Sequence, residues 1–192
     1  MFKPTFIAAT ALSALMLLAT GAARAEDVGK TPAIRCAAAV EAASRSGTVT
    51  DAATNTCRQA LGWAHFAPDE KGPVLSNNGV LHLIRGDYQA ALADFNSALR
   101  AGAEPSSTLN DRGLAQAGLL QYQAAVDSYG EALTKATGNQ ERIYFNRAMA
   151  EEDLGNLKAA FLDYRKAAEL APTWRKAADQ LSRFKVAYPS MV

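Results

Sequence analysis

Gly86-Asp87-Tyr88-Gln89-Ala90-Ala91-Leu92-Ala93-Asp94-Phe95-Asn96-Ser97-Ala98-Leu99 returns, altered but in phase, as Leu120-Gln121-Tyr122-Gln123-Ala124-Ala125-Val126-Asp127-Ser128-Tyr129-Gly130-Glu131-Ala132-Leu133. It returns again as Gly155-Asn156-Leu157-Lys158-Ala159-Ala160-Phe161-Leu162-Asp163-Tyr164-Arg165-Lys166-Ala167-Ala168. Tyr88 and Tyr122 stand 34 residues apart, and Tyr122 and Leu157 stand 35 apart. Self-similarity at this period marks stacked supersecondary units, each too small to bury its own apolar face. Within each stretch, alanines and an aromatic recur at spacings of four and three, the spacing of one helical face. The chain therefore reads as an array of helical hairpins.

Composition agrees. The 192 residues suffice for one domain plus a leader. Apolar residues make up 49% and charged residues 20%, as in ordinary globular chains. Alanine is abundant, and it both favours helices and lets them approach closely. The formal net charge is +1 and no basic patch stands out, which argues against nucleic acid as a partner.

Residues 1–25 read as a secretory signal peptide. Lys3 opens it, Phe6 to Ala19 forms the apolar run, and Ala23-Arg24-Ala25 is a small-x-small cleavage site. The run is shorter than the roughly 20 residues of a spanning helix, so a membrane anchor is the weaker reading. Cleavage is expected after Ala25. It would remove Lys3 and Arg24 and leave a chain from Glu26 with a net charge of −1 and no membrane insertion. The expected location is the periplasm or the exterior.

Export bears on the two cysteines, Cys36 and Cys57. In an oxidising compartment an even pair is most simply a disulfide. A loop of this length would add about 3 kcal/mol in the chain-entropy picture. Free thiols remain open at this point. A redox pair would prefer C-x-x-C spacing, and the two histidines, His65 and His82, bring no ligand cluster for a metal.

Along the mature chain, 26–33 is a polar tail and 34–67 a degenerate helical hairpin that the disulfide would staple. Ser46 to Thr50 breaks it, with Thr50 as N-cap of its second helix. Three clear repeats follow at 72–105, 106–139 and 141–174. Pro105, Gly138 and Pro172 punctuate them. Trp174 to Ala187 carries a helical apolar stripe, so 175–188 reads as a capping helix that Tyr188-Pro189 ends. Terminal units of such arrays are atypical because one face meets water.

These residues resemble the tetratricopeptide-repeat (TPR) family, specifically a secreted bacterial member. The family places a small residue at position eight, alanine at twenty, an aromatic at twenty-four and alanine at twenty-seven. Here position eight is Gly79, Gly113 and Ala148. Position twenty is Ala91, Ala125 and Ala160, position twenty-four Phe95, Tyr129 and Tyr164, and position twenty-seven Ala98, Ala132 and Ala167. Proline at thirty-two occurs only once, at Pro172. The resemblance covers 72–174 firmly and 34–67 loosely. It implies an all-α fold: an α-α superhelix with three repeats, an N-terminal hairpin and a C-terminal cap.

The resemblance also implies a site. In this family, positions two, five, nine and twelve of each first helix line a concave groove. They correspond to Ser76, Val80 and Leu83, to Ser107, Asn110, Leu114 and Ala117, and to Arg142, Phe145, Met149 and Glu152. Val80, Leu83, Leu114, Phe145 and Met149 predict a mainly apolar strip suited to an amphipathic or apolar segment of a protein or peptide partner. The chaperone-type carboxylate clamp is not matched. Its places hold Ser76, Val80, Asp111, Arg142 and Asn146, where Arg142 alone fits and Asp111 has the wrong charge. Asn77, Asn110 and Asn146 recur and are expected to hydrogen-bond between hairpins. The acidic run Glu151-Glu152-Asp153 reads as a solvated face.

No nucleophile–base pair, phosphate loop or metal cluster is visible, so neither an enzyme nor a cofactor is expected. The expected function is a non-catalytic binding scaffold of the cell envelope. The alternative is a structural homo-oligomer, such as a homodimer, whose groove is buried by a second copy.

Overall fold

The computed structural model describes residues 31–62 and 69–187, with the backbone alone for 185–187. The leader, most of the polar tail, His65 and the chain end at Tyr188-Pro189 lie outside the described residues, as does the stretch 63–68 of the N-terminal hairpin. Among the described residues there are helices and no strands. They are α1 (Pro32–Ser46), α2 (Asp51–Leu61), α3 (Lys71–Arg85), α4 (Tyr88–Arg100), α5 (Pro105–Gly118), α6 (Tyr122–Lys135), α7 (Gln140–Asp153), α8 (Leu157–Leu170) and α9 (Arg175–Ala187).

Local chemistry explains several ends. Thr31 accepts from the Ile34 amide and Thr50 from the Ala53 amide, each a side-chain N-cap. The Glu104 carboxylate takes the amides of Ser106 and Ser107, and Pro105 follows it in the first turn of α5. The turns inside the first and third repeats pass through left-handed backbone at Gly86 and Gly155, both at φ +79°. The second repeat makes the same turn with Leu120 at φ +60°, a conformation a branched side chain resists.

Consecutive helices pair as antiparallel hairpins: α1 with α2, α3 with α4, α5 with α6, and α7 with α8. All twelve pattern positions are buried. Their roles are complementary. Position eight must be small because the position-twenty-four ring lies on it. A Cβ built on Gly79 would stand 2.7 Å from a Phe95 ring carbon, and one on Gly113 would stand 2.5 Å from Tyr129. Ala91, Ala125 and Ala160 let the helix axes close to the distance that small residues permit.

A second, polar series runs beside the apolar one. Asn78 donates to Asp94 at 2.7 Å, Arg112 to Ser128 at 3.0 Å, and Arg147 to Asp163 at 2.6 and 2.9 Å. Each pair spans 16 residues and joins position seven of the first helix to position twenty-three of the second. Each of the three clear repeats is thus clasped by a hydrogen-bonded pair next to its aromatic.

Cys36 and Cys57 are bridged, with both residues fully buried. The bridge ties α1 to α2, and their small core continues into Val74 and Leu81 of α3. At the other end, Phe184 of α9 packs against Phe161 and Tyr164 of α8. Glu152 accepts from Tyr164 and from Arg183, tying α7 to α9. The acidic run is therefore partly an anchor for the capping helix.

Candidate binding groove

The first helices of successive hairpins approach one another, α1 with α3, α3 with α5, and α5 with α7. They form the inner face of the superhelix, and polar side chains stitch it. Ser76 of α3 shares a hydrogen bond with Thr108 of α5 at 3.3 Å. Asn146 of α7 donates to the Asn110 carbonyl of α5 at 3.0 Å. Of the three asparagines expected to bond between hairpins, Asn110 and Asn146 do so, while among the described residues Asn77 makes no such bond.

Between α5 and α7 this face opens into a cavity of about 530 Å³. Glu104, Ser107, Asn110, Asp111, Asn139 and Arg142 are among its lining residues. The Glu104 oxygens serve the α5 N-terminus. Asp111 is half-buried and takes a hydrogen bond from the Asn110 amide at 3.2 Å. Burial pushes its carboxyl up to about 6, while that hydrogen bond and the charge of Arg142 pull the other way. Arg142 is exposed at the start of α7. Burial, with the Asp111 charge adding to it, also raises the Tyr129 hydroxyl above its ordinary range.

The predicted groove residues divide. Asn110 and Arg142 line the cavity, and Met149 is 47% exposed on α7. Ser76 is half-buried in the stitch to α5. Val80, Leu83 and Leu114 are half-buried and pack onto the cores between hairpins. Phe145 leaves the groove altogether. It is 2% exposed, with Trp174 at 4.9 Å, Tyr164 at 5.4 Å and the Lys176 ammonium 5.3 Å from its ring. The expected apolar strip is largely mortar between hairpins, and the open surface is polar.

Sequence reasoning passed over Asp111 except as a mismatch, and it did not find the clasps at positions seven and twenty-three. Their signal was present: three polar pairs, each one residue ahead of the small and aromatic positions. His82 lies with Nδ1 3.6 Å from Asp87 and Nε2 3.9 Å from Asp94. Among the described residues no group of three or more His, Cys, Asp or Glu is placed to hold a metal ion, and no helix is long and apolar enough to cross a membrane.

Residues 141–173 match the tetratricopeptide repeat family. The chain folds as a tetratricopeptide-repeat solenoid. Two solved structures share this architecture. One is the "MamA RS-1 ArsTM double mutant", at TM-score 0.66 and 20% identity, covering 82% of this chain and 85% of its own. The other is the "APC/C hetero-tetramer Cut9-Hcn1", at TM-score 0.61 and 22% identity, covering 68% of this chain. This chain spans only about a quarter of the Cut9–Hcn1 chain it matches, 26%.

Proposed function

We propose that this tetratricopeptide-repeat solenoid is an exported, non-catalytic scaffold that holds a segment of another protein on its inner face. One observation carries the reading. The α5–α7 cavity opens on the face where the first helices converge, and its lining still offers hydrogen-bonding groups. The fold itself is a general protein-binding scaffold, which supports the same view. The occupant expected from the sequence was apolar or amphipathic. The half-buried state of Val80, Leu83 and Leu114 and the burial of Phe145 favour a more polar segment, with Met149 as the apolar contact.

Export is part of the proposal. The leader-like residues 1–25 and the buried Cys36–Cys57 bridge support it, since structural disulfides persist in oxidising compartments. Intact mass of the protein recovered from its own cells should give a chain beginning at Glu26. A retained leader would contradict this part.

Affinity capture from the envelope fraction tests the binding role. The mature oxidised protein is compared with an Arg142→Glu/Met149→Glu variant, both positions being exposed. A protein captured by the parent and lost by the folded variant supports the reading. Equal capture by both contradicts it. A parent that is dimeric in solution and becomes monomeric on the same substitutions would favour the self-association alternative instead.

A further inference from the structure

We propose that the cavity between α5 and α7 takes a lysine or arginine side chain of the bound polypeptide, seated on the Asp111 carboxylate. This rests on, and deepens, the reading of the inner face as the binding surface. The cavity, at about 530 Å³, lies within the range of ligand pockets and is ample for a long side chain with its flanking backbone. An ionised carboxylate offers about four acceptor sites. Asp111 takes a hydrogen bond from its neighbour Asn110 and, among the described residues, makes no ion pair with Arg142. Acceptor capacity is therefore left on a half-buried charge.

The charge balance points the same way. Glu104 and Asp111 line the cavity against one cation, Arg142, and the Glu104 oxygens are already engaged by the Ser106 and Ser107 amides. An anionic side chain would meet the Asp111 carboxylate as well as the Arg142 guanidinium. An apolar one would strip the remaining water from Asp111 and return nothing for it. A guanidinium or ammonium would instead turn a poorly solvated carboxylate into a charge-assisted pair. Burial raises the proton affinity of Asp111 by more than the Asn110 hydrogen bond and the Arg142 charge lower it.

The test selects short random peptides displayed on phage against the oxidised mature chain. A selected peptide is then mapped by its effect on backbone amide shifts. Its affinity is measured for the parent, for Asp111→Asn, and for the peptide with each arginine replaced by citrulline and each lysine by its acetylated form. The expected result is shifts on α5 and α7, with affinity falling about tenfold or more on either the protein or the peptide change. Shifts on α5 and α7 with no dependence on a basic side chain would overturn the proposal and leave the inner-face reading standing. Shifts confined to other helices, or no selectable peptide, would overturn both. The peptide-side changes keep the test decisive should Asp111→Asn alter folding.

Discussion

The Tyr129 ring lies against the backbone of Gly113, so close that a β-carbon on Gly113 would stand 2.5 Å from Tyr129 Cε1. Alanine is the better helix former by about 1 kcal/mol, yet overpacking a filled core costs about 1–3 kcal/mol. Tyr129 is 1% exposed and has little room to yield. Gly113→Ala should therefore be net destabilising. Gly130, inside α6, is the counter-case: its β-carbon would meet nothing nearer than Arg147 Nη1 at 3.9 Å. Gly130→Ala should stabilise by about 0.5–1 kcal/mol. Urea unfolding followed by circular dichroism checks both, and equal signs would contradict the packing account.

The clasp between Arg147 and Asp163 is the strongest of its series, since both guanidinium contacts fall on one carboxylate in a half-buried setting. The Asp163 bond also raises the Arg147 pKa. Arg147→Lys keeps the charge but loses the paired geometry, and should cost on the order of 1 kcal/mol. Arg147→Ala leaves Asp163 buried without its partner and should cost on the order of 2–3 kcal/mol. A double-mutant cycle with Asp163→Ala should return a coupling above about 1 kcal/mol. A coupling near zero would remove the clasp from the account of stability.

Leu120 holds left-handed backbone where the other two repeats place glycine, and its side chain is 72% exposed. The conformation costs a non-glycine residue about 1–2 kcal/mol, and little apolar burial would be lost with the side chain. Leu120→Gly should raise the unfolding midpoint, net of the extra chain entropy of glycine. Gly155→Ala should lower it. A fall for Leu120→Gly would show that the leucine contributes packing that its exposure conceals.

Asp111 makes stability depend on pH. Its folded carboxyl is raised from 3.8 to about 6, first by burial. An acid raised on folding favours the native state only while protonated. That contribution is complete below about pH 4 and is lost as pH rises through about 6. Around it stand Asn110, Arg142 and Tyr129. Asp111→Asn should thus be more stable than the parent at pH 7 by on the order of 1 kcal/mol, with the two converging below about pH 4. Urea unfolding across this range measures the difference, and a variant less stable than the parent at pH 7 would refute the assignment.

Much of this fold was legible in the residues. The small, alanine and aromatic positions recur because each hairpin solves the same packing problem, so Gly79, Gly113 and Ala148 announce Phe95, Tyr129 and Tyr164. Thr50 as a cap and Cys36–Cys57 as a staple rest on equally local chemistry. The site was less legible for a physical reason. A periodic position tells which face a residue lies on, but not what the next element lays over it. Phe145 occupies a groove position, yet Trp174 covers it. Val80 and Leu114 occupy groove positions, yet neighbouring hairpins use them as packing. Asp111 looked like a failed clamp residue until the cavity beside it came into view.

The inner-face claim is tested most directly by photo-crosslinking in the cells that make the protein. A photoreactive residue is placed at Met149 on α7, or at Leu162 on α8, positions of similar exposure at 47% and 42%. The account predicts a defined protein adduct from Met149 that disappears with Arg142→Glu, and none from Leu162. An adduct from Leu162 alone would place the partner on the second-helix face and contradict it.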